Sequence, residues 1–213
     1  MRAIVGDVMS TEPITIRPDT PFKEIVDVLI RHGIGGVPVT TSDGRLLGVV
    51  TEGDLLTKPA FSTRTRRART KLQGWMGLRR DARRKATGLT AREIMTAQVV
   101  TAAPYEYLDD VALRLVEHRI GRLPVVEDGR LVGIVTRKDA LRPFDRSDDD
   151  IAADVQAALD DRVTFEYGHD ARFSVKEGVV ELTGTVPAPD YVNALADTIA
   201  HVSGVVHVDN GLT

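Results

Sequence analysis

The sequence predicts a mixed α/β (α+β) fold in which one helix, strand, strand, helix unit is written twice with pseudo-two-fold symmetry, followed by a second, small α/β domain. Three observations predict it. The stretch GRLLGVVTEGDLL (44–56) returns as GRLVGIVTRKDAL (129–141). Met9 and Met95, Pro18 and Pro104, His32 and His118, and Pro38 and Pro124 pair at an offset of 86, and Thr51 with Thr136 and Asp54 with Asp139 at 85 after one deletion. Finally, the acidic run DRSDDD after Pro143 opens a segment with periodicities of its own. Internal repeats decide architecture before any local feature does.

Within the first copy, Phe22, Ile25, Val26, Leu29 and Ile30 follow the i, i+3, i+4, i+7, i+8 spacing of a helix face, entered through Thr20 and Pro21 as cap and first turn. Leu108, Val111, Ala112, Leu115 and Val116 repeat that face. Strands are expected at Val37 to Thr40 and Leu46 to Val50 around the turn Ser42-Asp43-Gly44, then at Leu123 to Val126 and Leu131 to Val135 around Asp128-Gly129. Each copy alone is too thin to bury both faces, so the two are expected to pack together. The domains divide as 1–57, an insert at 58–88, 89–143 and 144–213.

The net charge of −3 over 213 residues becomes informative once resolved along the chain. Between Lys58 and Lys85 there are eleven Lys or Arg and one acid, Asp81, so a segment at +10 interrupts a body at −13. No apolar run approaches the ~20 residues of a membrane span, and MRAIVGDVMS lacks the apolar core of a secretory signal, which makes a cytoplasmic location the default expectation. Without cysteine there are no disulfides, thiol catalysis or Cys-ligated zinc.

The pattern VMS...P, a helix, HGIGGVPV and DGRLLGVVTEGDLL resembles a cystathionine-β-synthase-type (CBS) domain, and IMT...P, HRIGRLPVV and DGRLVGIVTRKDAL resembles a second. The two cover most of residues 3–143. The resemblance implies a regulatory pair whose central clefts hold adenine nucleotides (AMP, ADP or ATP), commonly dimerised into a disc. It implies no obligatory cofactor.

TEGD and TRKD each follow a strand and open a helix, so Thr51 and Thr136 are N-cap candidates with Asp54 and Asp139 in a capping-box position. The same geometry also suits a nucleotide: helix N–H groups and a Thr hydroxyl toward phosphate, an Asp toward both ribose hydroxyls. Both readings stand open at this point. In families with this pattern the upstream G-x-x-P segment walls the adenine, here Gly35-Gly36-Val37-Pro38 and Gly121-Arg122-Leu123-Pro124, with Ile34 and Ile120 as apolar contacts. Glu52 and Asp54 give the first motif a local −2, whereas Arg137 and Lys138 against Asp139 give the second +1. At roughly 1 kcal/mol per partly screened charge, the second cleft is the expected site for an anionic nucleotide, by ten- to a hundredfold or more.

The insert KPAFSTRTRRARTKLQGWMGLRRDARRK admits three readings. It is a solvated arm, a basic amphipathic helix built on Leu72, Trp75 and Met76 for an anionic lipid surface, or an arginine-rich contact for nucleic-acid phosphates. Gly74 and Gly77 weaken the helix, no recognition fold accompanies the arginines, and the membrane reading ranks above nucleic acid.

Beyond Pro143, a helix face is expected at Ile151, Val155, Ala158 and Leu159, then strands Phe173 to Lys176 and Val179 to Thr183 around Glu177-Gly178. A second helix carries Tyr191, Leu195, Ile199 and Val202, stops near Gly204, and hands over to a strand from Val205 to Val208. FSVKEGVVELTGTVP, a helix and VSGVVHVDNGL resemble a BON domain over about residues 148–212, a family for which phospholipid or other ligand binding has been suggested.

His32, His118, His169, His201 and His207 lack metal-ligand spacing, and His32 and His118 sit at matching helix ends where a cation suits the dipole. There is no nucleophile elbow and no phosphate loop. The expectation is a homodimeric, non-catalytic adenine-nucleotide sensor. Its rival is an envelope adaptor in which the insert at 58–85 and the BON domain bind lipid or a protein partner and the CBS pair is a scaffold.

Overall fold

The computed structural model describes residues 2–57, 88–163, 170–186 and 189–213; the basic insert, apart from Gly88, and His169 lie outside the described residues. The elements in chain order are α1 (Val5–Val8), α2 (Phe22–His32), β1 (Gly36–Thr40), β2 (Leu46–Thr51), α3 (Glu52–Leu55), α4 (Ala91–Ile94), α5 (Leu108–Glu117), β3 (Arg122–Glu127), β4 (Arg130–Thr136), a 3-10 turn (Asp139–Asp145), α6 (Asp148–Val163), β5 (Arg172–Lys176), β6 (Val179–Gly184), α7 (Pro189–Ala200) and β7 (His207–Leu212). Helices and small sheets mix as the periodicities predict. Two compact units form, one from residues 10–104 and 123–134, the other from 1–9, 105–122 and 135–213. They cut across the sequence repeats, because each copy's leading segment joins the unit built around the other copy's long helix.

In the first of these units α2 buries Ile25 and Leu29 against β1 and β2, together with Val37, Val39, Val50 and Leu55. Thr20 does not cap the helix: its Oγ1 accepts the Arg17 N–H at 2.9 Å, and Pro21 occupies the N-cap position. The helix ends on Gly33, whose φ of 62° lets the Gly33 and Ile34 amides turn back to the Ile30 and Leu29 carbonyls. From the second sequence copy, Ala91, Ile94 and Met95 complete this core. Val49 and Thr96 exchange both backbone hydrogen bonds, at 3.0 and 2.9 Å. Gly48 makes that approach possible, since a Cβ there would stand 2.5 Å from the Thr96 carbonyl oxygen.

In the other unit α5 buries Leu108, Val111 and Leu115, and α1 buries Val5 and Val8. The amides of Leu108 and Val5 donate to the Ala3 and Glu106 carbonyls. After α5 the chain makes the same left-handed exit as after Gly33, but with Arg119, at φ 53°. A side chain in that region is strained by about 1 kcal/mol or more. Arg119→Gly is therefore expected to stabilise the protein by about 0.5–1 kcal/mol, read as a rise of roughly 1–4 °C in the thermal midpoint.

The C-terminal part of this unit is a three-stranded sheet in the order β5-β6-β7, with β5 antiparallel and β7 parallel to β6. Ile151, Val155 and Leu159 of α6 and Leu195 and Ile199 of α7 share its core with Val180, Leu182, Val202, Val205 and Leu212. The α6 helix is pinned at its start by Asp148, whose carboxylate accepts the amides of Glu177 and Gly178 at 2.8 and 2.9 Å, satisfying the hairpin turn. Arg146 bridges to Asp154 at 2.8 Å and to the Ser203 carbonyl. That bond holds the Asp154 carboxyl below the ordinary carboxylate range, so its contribution is complete at neutral pH and is lost as pH falls through the lowered value.

The last strand lies further along than expected, over His207–Leu212 instead of Val205 to Val208. Asn210-Gly211 reads locally as a turn, but the parallel register pairs Gly211 with Thr183 and brings Leu212 into the core. Tertiary pairing overrides the local signal.

Candidate functional site

The two T-x-x-D motifs adopt one local design. In the first, Thr51 is the last residue of β2 and lies across the ladder from Gly36, the first of β1. A Cβ on Gly36 would meet Thr51 Cγ2 at 3.2 Å, so the glycine sets how closely the two segments approach. Asp54 Oδ2 accepts both the Thr51 amide and the Thr51 hydroxyl, each at 2.9 Å. The Glu52 amide donates to the Gly35 carbonyl at 3.1 Å. Thr51 and Glu52 are exposed and Asp54 is half-buried. Ile34 packs against the neighbouring core, and Pro38 is buried within β1.

In the second motif Asp139 Oδ2 accepts the Thr136 amide at 2.9 Å and its hydroxyl at 2.7 Å. The Arg137 amide donates to the Gly121 carbonyl at 3.3 Å, the counterpart of the bond from Glu52 to Gly35. Asp139 is far more enclosed than its partner, at 6% exposure. Its Oδ1 receives Arg142 Nη2 at 3.3 Å. The same guanidinium donates from Nη1 to the Val8 carbonyl at 3.2 Å.

Two features differ from the sequence expectation. First, the segment opened by TRKD is a 3-10 turn, not an α-helix, because Pro143 has no N–H to give the Asp139 carbonyl. Second, the Arg137 guanidinium lies on the C-terminal end of α5, donating to the carbonyls of Ile120 at 3.0 Å and Leu115 at 3.1 Å, where a cation complements the helix dipole. The cation that meets the Asp139 carboxylate is Arg142. The spacing of three residues within one turn carries that signal in the sequence, and the equivalent position of the first copy is Thr57, whose hydroxyl donates to the Asp54 carbonyl. Lys138 is exposed, Ile120 and Arg122 are half-buried, and Gly121 is exposed with open space where a Cβ would stand. Pro124 is buried in β3, and its carbonyl accepts the Ala102 amide.

Among the described residues no group of three or more His, Cys, Asp or Glu is placed to hold a metal ion. His201 Nδ1 lies 2.6 Å from the Asp197 carbonyl and His207 pairs with Asp209. Among the described residues no helix is long and apolar enough to cross a membrane.

The chain is similar in sequence and fold to known CBS-domain proteins. The sequence is 28% identical to CBSX2, solved in complex with AMP, over 65% of this chain and 94% of that one, with a TM-score of 0.57. The CBS domain pair of protein MJ0100, in complex with 5′-methylthioadenosine and S-adenosyl-L-methionine, is 32% identical over 68% of this chain and 98% of that one, with a TM-score of 0.50. Among curated relatives, the CBS domain-containing protein YhcV of Bacillus subtilis is 30% identical over 135 residues, 63% of this chain and 81% of that protein. The L-aspartate semialdehyde sulfurtransferase of Methanocaldococcus jannaschii is 31% identical over 142 residues, 66% of this chain; the match spans only 23% of that protein's length. The CBS-domain profile matches residues 5–60 and 91–145, more than half of the chain, and the BON-domain profile matches 147–213. The chain thus belongs to the CBS-domain family, as a CBS pair followed by a C-terminal BON domain.

Proposed function

We propose that this protein is a non-catalytic, cytoplasmic regulator that binds an adenine nucleotide at its second T-x-x-D motif and passes the binding event to its own BON domain or to a partner. The observation that carries the reading is the enclosed Asp139 carboxylate, oriented by Thr136 and charge-paired by Arg142. An oriented, ionised carboxylate is the acceptor that the two hydroxyls of a ribose require. Adenosine compounds are what CBSX2 and the MJ0100 domain pair were solved with, which supports the same ligand class here. Arg137 serves α5 and Arg142 is paired with Asp139, so charge preference between the motifs rests on Lys138 against Glu52. The test is calorimetric titration of the nucleotide-stripped full chain with AMP, ADP, ATP and S-adenosylmethionine. Saturable binding of one of these supports the reading. Heat from none of them makes both motifs helix caps and leaves a scaffold with a lipid- or protein-binding BON domain as the function.

The homodimer belongs to the same proposal. Ile30 and Leu56 are 76% and 57% exposed on an apolar groove of α2 and α3 that also includes Phe22, Val26 and Leu55. A second copy laid on this groove would cover them. Ile30→Glu is expected to weaken self-association at least tenfold, seen in sedimentation velocity as a shift from dimer to monomer.

A further inference from the structure

The geometry points to Arg142 as a positioning residue that couples occupancy of the second motif to the packing of the BON domain. This rests on the nucleotide reading of Asp139. A carboxylate offers about four lone-pair sites. Thr136 takes two of them on Oδ2, and Arg142 Nη2 stands against Oδ1 as an ion pair at 3.3 Å. A ribose diol donating two hydrogen bonds needs both sites of Oδ1, the oxygen that the Arg142 guanidinium covers. Arg142 is the partner that yields, since the Thr136 bonds are shorter and belong to the backbone and cap of the motif itself.

Displacing Arg142 acts on the turn that carries it. Residues 139–145 form a seven-residue 3-10 helix without the α-helical bond that Pro143 precludes, entered through the Leu141 amide on the Lys138 carbonyl and tied down by Arg142, which joins Asp139 to the Val8 carbonyl. The next residues are already in the BON contact. Gly204, at φ 98°, lies so close that a Cβ there would stand 2.9 Å from the Pro143 carbonyl oxygen and from Ile151 Cδ1. Phe144 lines a cleft of about 460 Å³ with Val202 and Val205, and Arg146 holds the Ser203 carbonyl. From the ligand-binding carboxylate to the BON contact there are only seven residues, with the cleft as room to move.

Hydrogen exchange of the full chain with AMP as the probe tests this. The readouts are the Val205 and Val206 amides, which bond to the Val202 and Gly178 carbonyls. In the wild-type protein, saturating AMP is expected to raise their exchange about tenfold, the equivalent of losing one charged hydrogen bond. In Arg142→Gln exchange is expected to be raised already, AMP to add nothing, and AMP to bind two- to tenfold more tightly because the carboxylate is no longer shared. Arg142→Lys, which keeps a cation for Asp139 but not the bridge to Val8, is expected to lose the exchange response to AMP without the gain in affinity, and serves if the glutamine variant folds poorly. A merely structural Arg142 would leave AMP affinity unmoved or weaken it. Bound AMP with unchanged wild-type exchange, or a full AMP response in both variants, overturns the coupling while leaving the nucleotide reading intact. Failure of AMP to bind removes the nucleotide reading first and the coupling with it.

Discussion

Asp139→Ala is expected to weaken AMP binding about a hundredfold or more, whereas Asp54→Ala should cost tenfold or less in the same calorimetric titration. Hydrogen bonds to a charged group contribute about 1.5–3 kcal/mol each, and loss of the two from a ribose diol therefore amounts to two or more decades of affinity. Enclosure makes the loss larger at Asp139, where Thr136 fixes the acceptor before any ligand arrives. Asp54 is half-buried, and the exposed acid Glu52 precedes it. Asp139→Asn separates charge from shape: it preserves the side-chain outline and should lose most of the same affinity. Equal losses at the two aspartates would overturn the preference for the second motif.

The other large effect is expected at Gly184. Its φ is 111°, outside the comfortable range of an L side chain, and a Cβ would stand 2.0 Å from the Asp170 carbonyl oxygen. Backbone strain and overpacking cost about 1–3 kcal/mol each, so Gly184→Ala is expected to lose about 4 kcal/mol and to strip hydrogen-exchange protection from β5, β6 and β7. Gly184 also anchors the chain end, its carbonyl accepting the Thr213 amide and hydroxyl. Gly129→Ala is the control, because its φ of 77° is strained but nothing lies within 4 Å of the added carbon. That variant should lose only about 1 kcal/mol. Equal losses would mean that dihedral strain alone, without the close approach of Asp170, explains the glycine.

Most of this architecture was legible in the sequence because each signal is local. The i, i+3, i+4 faces of α2 and α5 bury Ile25, Leu29, Val111 and Leu115, and short apolar runs around turn residues mark β1 through β6. What was not legible depends on pairing across the chain. The Asn210-Gly211 step hides the end of β7, because its partner Thr183 lies 28 positions back. Arg137 was expected to act at its own motif, but the carbonyls left open at the end of α5 claim it. The Arg142 contact spans one turn and is visible in spacing, although the nearer basic pair in TRKD outweighs it on the page. Residues Thr51, Asp54, Thr136 and Asp139 come together in pairs as the capping spacing requires. Capping and ligand binding share that spacing, so spacing alone does not separate them.

The exchange of leading segments makes the repeats inseparable as folding units. A fragment cut at the sequence boundary would keep α2, β1 and β2 but lose Ala91, Ile94 and Met95 from its core, together with the Thr96 backbone that approaches Gly48. The complementary fragment would lose Val5, Val8 and the backbone bonds from Leu108 and Val5. Neither copy of the duplicated sequence can thus be a surviving independent ancestor in its present form. The core of residues 10–104 also closes only after Phe22 has found Leu89 and Val49 has found Thr96, so assembly waits on contacts between distant parts of the chain. High contact order of this kind slows folding. Emerging from the ribosome, the first copy remains an unfinished template until the second has begun to appear.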